Sequence, residues 1–209
     1  MALLASSIVF VMSLAAVLMV FCINLLVVWL VYLVRGEKTV KARPIEPLIT
    51  VVVVVRNAAS IIEEKIKNTL SLDYPADRLE LIISSDGSTD RTEDIVQPYI
   101  GGRVRLVSSP LHEGKNSALN RAVAISAGEI LVFTDADALL EKGALRRIVP
   151  HFADEDVGGV CGQRVIAEHE MRLEKAQSDY IRFDSSIKRL ESKTGSITSN
   201  DGKLYAIRK

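Results

Sequence analysis

The sequence predicts a doubly wound α/β sheet preceded by one membrane-spanning helix. Three observations lead to that reading. The first 34 residues carry no charged side chain, and all 52 charges fall in the 175 residues that follow. In that second stretch, aliphatic and β-branched runs alternate with helix-period segments, the rhythm of strands and crossover helices in a parallel sheet. The run at residues 130–134 ends on two carboxylates one residue apart, Asp135 and Asp137. Open α/β sheets bind their ligands at such strand ends.

Residues 8–34 are almost wholly apolar, longer than the ~20 residues that cross a bilayer as a helix. A secretory leader would show a basic amino end and a shorter apolar stretch, and an amphipathic core helix would show a polar face. Trp29 and Tyr32 stand near one end, where aromatic side chains meet the membrane interface. Arg35, Lys38, Lys41 and Arg43 follow, and the positive-inside rule then places the carboxyl side in the cytoplasm. Three segments are expected: an anchor over residues 1–34, a basic linker with Pro44 and Pro47 over 35–47, and a soluble domain over 48–209. Twenty-six basic residues balance 26 acidic ones, which argues against a nucleic-acid footprint. Cys22 lies in the apolar stretch and Cys161 in the soluble part; they are not expected to pair, which fits a reducing compartment.

Within the soluble domain, residues 48–55 form an unbroken β-branched run, the mark of a strand covered on both faces. Ser60 and Glu63 have capping-box spacing at the head of a helix whose inner face is Ile62, Ile66 and Leu70. Residues 79–84 read as a second strand, with a possible cap formed by Asp90 and Glu93 after it, and residues 104–107 as a third. A helix over 116–127, closed by Gly128, leads to the central strand. Residues 143–152 form a short helix with Leu145, Ile148, Val149 and Phe152 inward. Residues 157–166 read as a further strand region. Leu173, Ala176, Tyr180, Phe183, Ile187 and Leu190 make a stripe read as core-facing, and residues 197–207 a hairpin turning at Asp201-Gly202.

The chemistry gathers at strand ends. Asp135 and Asp137 sit close enough to repel unless a cation or hydrogen-bond donors intervene, and a hard divalent ion carrying a diphosphate suits two carboxylates. A helix cap is the plainer role for Asp137. Asn57 follows the first strand; Ser84-Ser85-Asp86-Gly87-Ser88-Thr89-Asp90 follows the second; Gly114-Lys115-Asn116-Ser117-Ala118-Leu119-Asn120 comes next, then Thr134-Asp135-Ala136-Asp137. In this order the four motifs resemble family 2 glycosyltransferases of the GT-A fold, a Rossmann-like, mostly parallel sheet flanked by helices. With the apolar segment before them they resemble the branch that contains polysaccharide synthases.

That resemblance implies a nucleotide-sugar donor, a UDP-sugar, bound with Mg²⁺ or Mn²⁺. It implies sugar transfer with inversion to a glycan or lipid-linked acceptor. By position, Asn57 lies in the nucleotide-binding loop, Asp86 takes the base, Lys115 lies near the phosphates, Asp135 near ribose and metal, and Asp137 ligates the metal. Two departures stand out. An acidic residue commonly follows the first-loop asparagine in the family, whereas Ala58 follows Asn57 here, and Arg56 stands where an aromatic is common. No sequence after Gly195 matches the family's general-base motif. Asp184 and Glu191 qualify as bases by chemistry alone, on a helix where solvated roles are expected, and the part played by Asn120 is open. The expectation is therefore the amino-terminal portion of a longer enzyme, its fold incomplete at the carboxyl end, its base beyond Lys209 and the portion alone inactive. The alternatives are a non-catalytic nucleotide-sugar-binding module and a nucleotidyltransferase-like domain.

Overall fold

A computed structural model describes residues 2–163, 175–197, 200 and 203–209. In chain order the elements are α1 (Ala2–Arg35), β1 (Ile49–Val55), α2 (Ile62–Leu70), β2 (Leu79–Asp86), α3 (Thr92–Val96) and β3 (Val104–Ser109). They continue with α4 (Lys115–Ile125), β4 (Ile130–Asp135), α5 (Ala144–Ile148), β5 (Gly159–Cys161), α6 (Lys175–Thr194) and β6 (Leu204–Arg208). The chain divides into two units, residues 1–39 with 166–199 and residues 40–165 with 200–209.

The first unit holds α1 and α6. The span Ser6–Val34 of α1 has 29 residues and is long and apolar enough to cross a membrane; at 1.5 Å per residue it would run about 43 Å. α6 packs beside α1, and Lys38 N–H donates to the Lys193 carbonyl at 2.9 Å. On α6 the stripe residues whose side chains are described, Phe183, Ile187 and Leu190, do not form the core face expected of them. Phe183 is exposed and Ile187 and Leu190 are half-buried, while Glu191 is buried at 4% exposure and Asp184 pairs with Lys188. The reason is the neighbour: α6 belongs with the apolar helix and outside the sheet's core. Leu173 lies outside the described residues, as do the side chains of Ala176 and Tyr180.

The second unit is the expected α/β sheet, in the order β3-β2-β1-β4-β6-β5. β1 pairs in parallel with β2 and β4, and β2 with β3. β6 runs antiparallel to both β4 and β5. The chain moves outward from β1 to β3 and then returns to β4 on the other side of β1, so the topological switch lies between β1 and β4. β1 is a run of Ile, Thr and Val with helices on both faces. Val51, Val53 and Val55 pack with Ile62, Ile66, Ile83, Leu145 and Phe152. On the opposite face Val52 meets Ile82, Ala122, Leu131 and Phe133. Period-two alternation sends neighbours in the run to different cores, which is why nearly every residue in it is apolar.

Several local expectations are corrected. No Ser60 capping box forms: Ile61 and Ile62 both donate to the Ala58 carbonyl, and α2 has no side-chain cap. Donors just upstream are met by the next loop instead, Ala58 N–H by Thr92 Oγ1 at 2.7 Å and Ala59 N–H by Asp90 Oδ2 at 3.1 Å. Asp90 also accepts from the Thr92 N–H at 3.0 Å at the head of α3, but Arg91 is the N-cap residue and no side chain caps it. The buried face of α2 is Ile62, Lys65, Ile66 and Thr69, with Leu70 half-buried. Residues 149–153 continue α5 as a 3₁₀ turn that keeps Val149 and Phe152 inward. Within residues 157–166 the strand is Gly159–Cys161, and residues 164–166 lie outside the described residues. The hairpin is replaced by insertion of β6 between β4 and β5: Ile197 and Asn200 are not in a strand, and Asp201-Gly202 lies outside the described residues.

Gly128 does not close α4, which ends at Ile125 with Ser126 as its cap. Gly128 is where the chain crosses β1: its N–H donates to Thr50 Oγ1 at 2.9 Å, and a Cβ there would stand 2.4 Å from Thr50 N and 2.7 Å from Ile49 C. Those obstacles are backbone atoms of a central strand, which cannot turn aside. Gly128→Ala is therefore expected to destabilise the fold by about 3 kcal/mol and lower Tm by roughly 10 °C. A melting curve superimposed on that of the parent would show that β1 yields.

Candidate functional site

The carboxyl edge of the sheet carries Asn57, Asp86, Asp135 and Asp137, with Lys115 at the head of α4, whereas Asp184 and Glu191, named as bases by chemistry alone, lie on α6. Asp86 ends β2 opposite Ser109 of β3, and Asp135 ends β4 opposite Val54 of β1. Asn57 lies just beyond β1 and Asp137 in the turn after β4.

Asn57 has φ 51°, a left-handed conformation that asparagine tolerates better than most residues. Its Oδ1 accepts from the Thr89 N–H at 2.8 Å while its own N–H donates to Ser88 Oγ at 3.2 Å. The first-strand loop and the loop after β2 are thereby clasped into one rim.

Asp86 is 2% exposed and fully engaged. Oδ1 accepts from the Glu113 N–H at 3.0 Å and from Arg121 at 3.1 Å; Oδ2 accepts from the Gly114 N–H at 2.9 Å and lies 2.7 Å from His112 Nδ1. The Glu113 amide is the leading cause that holds this carboxyl near a pKa of about 2, followed among the stabilising contacts by His112, Arg121 and Gly114. The bonds reel in residues 112–114, which pass so close that a Cβ on Gly87 would stand 2.6 Å from His112 N. Lys115, next in sequence, opens α4.

Lys115 meets one member of the acidic pair, and Lys203 meets both. Lys115 Nζ lies 2.6 Å from Asp135 Oδ1. Lys203 Nζ lies 2.7 and 2.8 Å from the two oxygens of Asp137 and 3.5 Å from Asp135 Oδ2. Its hydrogen bond depresses the Asp137 carboxyl below the usual range, and Asp137 raises Lys203 in return. An ammonium thus bridges the two carboxylates, whose oxygens are donors of the hard type that Mg²⁺ or Mn²⁺ prefers. Asp137 is 62% exposed and Lys115 57%. Exposed pairs of this kind hold by about 0–1 kcal/mol each, weakly enough for a charged ligand to replace them.

Beneath the pair, Lys65 reaches up from α2 at 1% exposure. Its Nζ donates to Thr134 Oγ1 at 3.0 Å and to the Ala138 carbonyl, fastening both sides of the acidic turn. Burial pulls its pKa down to about 8. Beside Asp135 a small cleft is lined by Val52, Val54, Lys115, Leu119, Phe133 and Tyr205. Tyr205 stacks on Phe133 with ring centroids 4.8 Å apart.

Sequence reading did not single out Lys65, His112, Arg121, Lys203 or Tyr205. Lys65 alone carried a signal, since residues 62, 65, 66 and 69 share one face of a helix. The others reach the site through pairings across the fold, such as Leu204 with Thr134, which no local spacing encodes.

The sequence model of glycosyl transferase family 2 matches residues 50–208. The beta-monoglucosyldiacylglycerol synthase of Synechocystis sp. is 33% identical over 156 residues, which cover 72% of this chain and 33% of that protein. The poly-beta-1,6-N-acetyl-D-glucosamine synthase of Staphylococcus epidermidis is 28% identical over 73% of this chain and 37% of its own length. The chain thus spans about a third of the length of these curated relatives. Among solved structures, the mannosyltransferase PcManGT from Pyrobaculum calidifontis, in complex with GDP-Man and Mn²⁺, superposes with a TM-score of 0.71. It is 32% identical, and the match covers 90% of this chain and 52% of that one.

Proposed function

The chain belongs to glycosyl transferase family 2, and from that premise we propose that it forms the donor site of a membrane-anchored sugar transferase. The donor is a nucleotide sugar, a UDP-sugar, held with Mg²⁺ or Mn²⁺. The sugar passes with inversion to a glycan or lipid-linked acceptor. One observation carries the reading: Asp135, Asp137 and Lys115 converge at the end of β4, beside the switch point where a doubly wound sheet takes its ligand.

Asp135 and Asp137 would hold the divalent cation, which when bound supplies charge neutralisation at the donor's diphosphate. Lys115, a compact positive charge on a flexible stem, faces the phosphates. Asp86 anchors the loop that delivers Lys115 and stands on the base side of the site. Asn57 locks the rim, while Tyr205 and Phe133 form the apolar wall of the cleft. Transfer requires a base within hydrogen-bond reach of the acceptor hydroxyl. No described residue at this rim is assigned that role, and donor binding is the part of the reaction that Asp135, Asp137 and Lys115 support. Residues 1–34 serve as the anchor, 35–47 as the linker and 48–209 as the transferase domain, with the basic flank on the cytoplasmic side.

Calorimetry of the full chain in detergent micelles, with UDP and GDP each titrated with and without MnCl₂, tests the proposal. UDP is expected to bind in a Mn²⁺-dependent way and at least tenfold tighter than GDP. The opposite preference would transfer the assignment to a guanosine donor, as in the mannosyltransferase complex. Binding indifferent to the metal would remove the cation from the site.

A further inference from the structure

Lys203 has no place in the donor reading, yet it contacts both members of the acidic pair. It precedes Leu204, which pairs with Thr134, so the antiparallel entry of β6 sets residue 203 across from the end of β4. From there its ammonium contacts both carboxylates, bonding Asp137 through two oxygens and approaching Asp135 at 3.5 Å. The side chain is 30% exposed, so it can swing outward while its backbone stays with the sheet. Lys115 approaches Asp135 from the other side through the other oxygen. The pair therefore has a cation on each flank, and Lys203 bridges it.

A divalent ion drawn to the same oxygens competes with that ammonium, since two positive charges at these distances repel each other. We propose that Lys203 is a built-in competitor for the cation site: it holds Asp135 and Asp137 in register until a divalent ion displaces it. The charge at residue 203 then sets how tightly the pair takes metal. This rests on the assignment of Asp135 and Asp137 as the cation-holding pair. The alternative part for Lys203 is a fixed ligand of the donor's phosphates, which predicts the opposite sign for its removal.

The test is Mn²⁺ binding followed by the loss of the free-ion electron paramagnetic resonance signal, on the full chain in detergent micelles with MnCl₂ as the probe. It compares the parent with Lys203→Met, Lys203→Arg and Asp137→Asn. Lys203→Met is expected to bind Mn²⁺ about three- to tenfold tighter, the range that loss of one or two surface ion pairs allows. Lys203→Arg, which keeps the charge, is expected to stay within about twofold of the parent, and Asp137→Asn to lose the site. Equal or weaker binding by Lys203→Met, with binding still lost in Asp137→Asn, would overturn the competitor role and leave the cation pair standing. Mn²⁺ binding that survives in Asp137→Asn, or is absent from all four proteins, would overturn the cation pair itself. A matching thermal melt for Lys203→Met keeps the comparison free of folding effects.

Discussion

Asp137→Asn is expected to weaken Mn²⁺-dependent UDP binding by about a hundredfold, close to 2.8 kcal/mol. Asparagine keeps the shape and one acceptor oxygen but removes the charge that a hard divalent ion requires of its ligand. Folding should hardly notice, because the carboxylate is 62% exposed and its partner Lys203 lies at the surface, where an ion pair contributes about 1 kcal/mol at most. Calorimetry with and without EDTA checks this: chelator should reduce the parent to the level of the variant and leave the variant unchanged. A variant that still responds to EDTA as the parent does would move the cation elsewhere. The hydrogen bond from Lys203 holds the Asp137 carboxyl below its ordinary value. Before metal binds, Asp137 therefore stays ionised further into the acid range than a free aspartate does.

Asp86→Asn is the second large effect. Four donors converge on the native carboxylate, and asparagine would turn an NH₂ group toward two of them. Tm at pH 7 is expected to fall by roughly 5–10 °C, and UDP affinity by about tenfold or more, because residues 112–114 position Lys115. The native carboxyl has a folded-state pKa near 2, below its value of about 3.9 in an unfolded chain. Its contribution is therefore complete above about pH 4 and disappears as the pH falls toward 2. Calorimetric melts at pH 7 and pH 3 read this directly: the gap between parent and variant should narrow on acidification. A constant gap would assign the acid sensitivity to another group.

Much of the sheet was legible because its signals are local. The β-branched run of β1 advertises a strand covered on both faces, the aliphatic runs of β2 and β4 advertise strands beside it, and the small-residue loops after them mark the edge where Asn57, Asp86 and Asp135 now lie. Illegible were the features decided by partners far away in sequence. Gly128 has the look of a helix terminator until β1 is seen beneath it. Ser60 offers a cap, but Thr92 and Asp90 already serve the nearby donors. The stripe on α6 reads as a core face, but α6 belongs with the apolar helix. Lys65 stands between the two cases: helical spacing puts it on the inner face of α2, but the reason for a charge there is seen only with Thr134 and the Ala138 carbonyl above it.

The placement of β6 has a bearing on the order of assembly. Strands β1 to β4 adjoin one another without help from later residues, so a nascent chain can form the acidic rim as soon as β4 emerges. β5, three residues long, pairs with β6 and has to wait for it. During synthesis the two carboxylates are thus made first and their bridging ammonium last, and the vacant flank of β4 is a sticky edge until the late strand slots in.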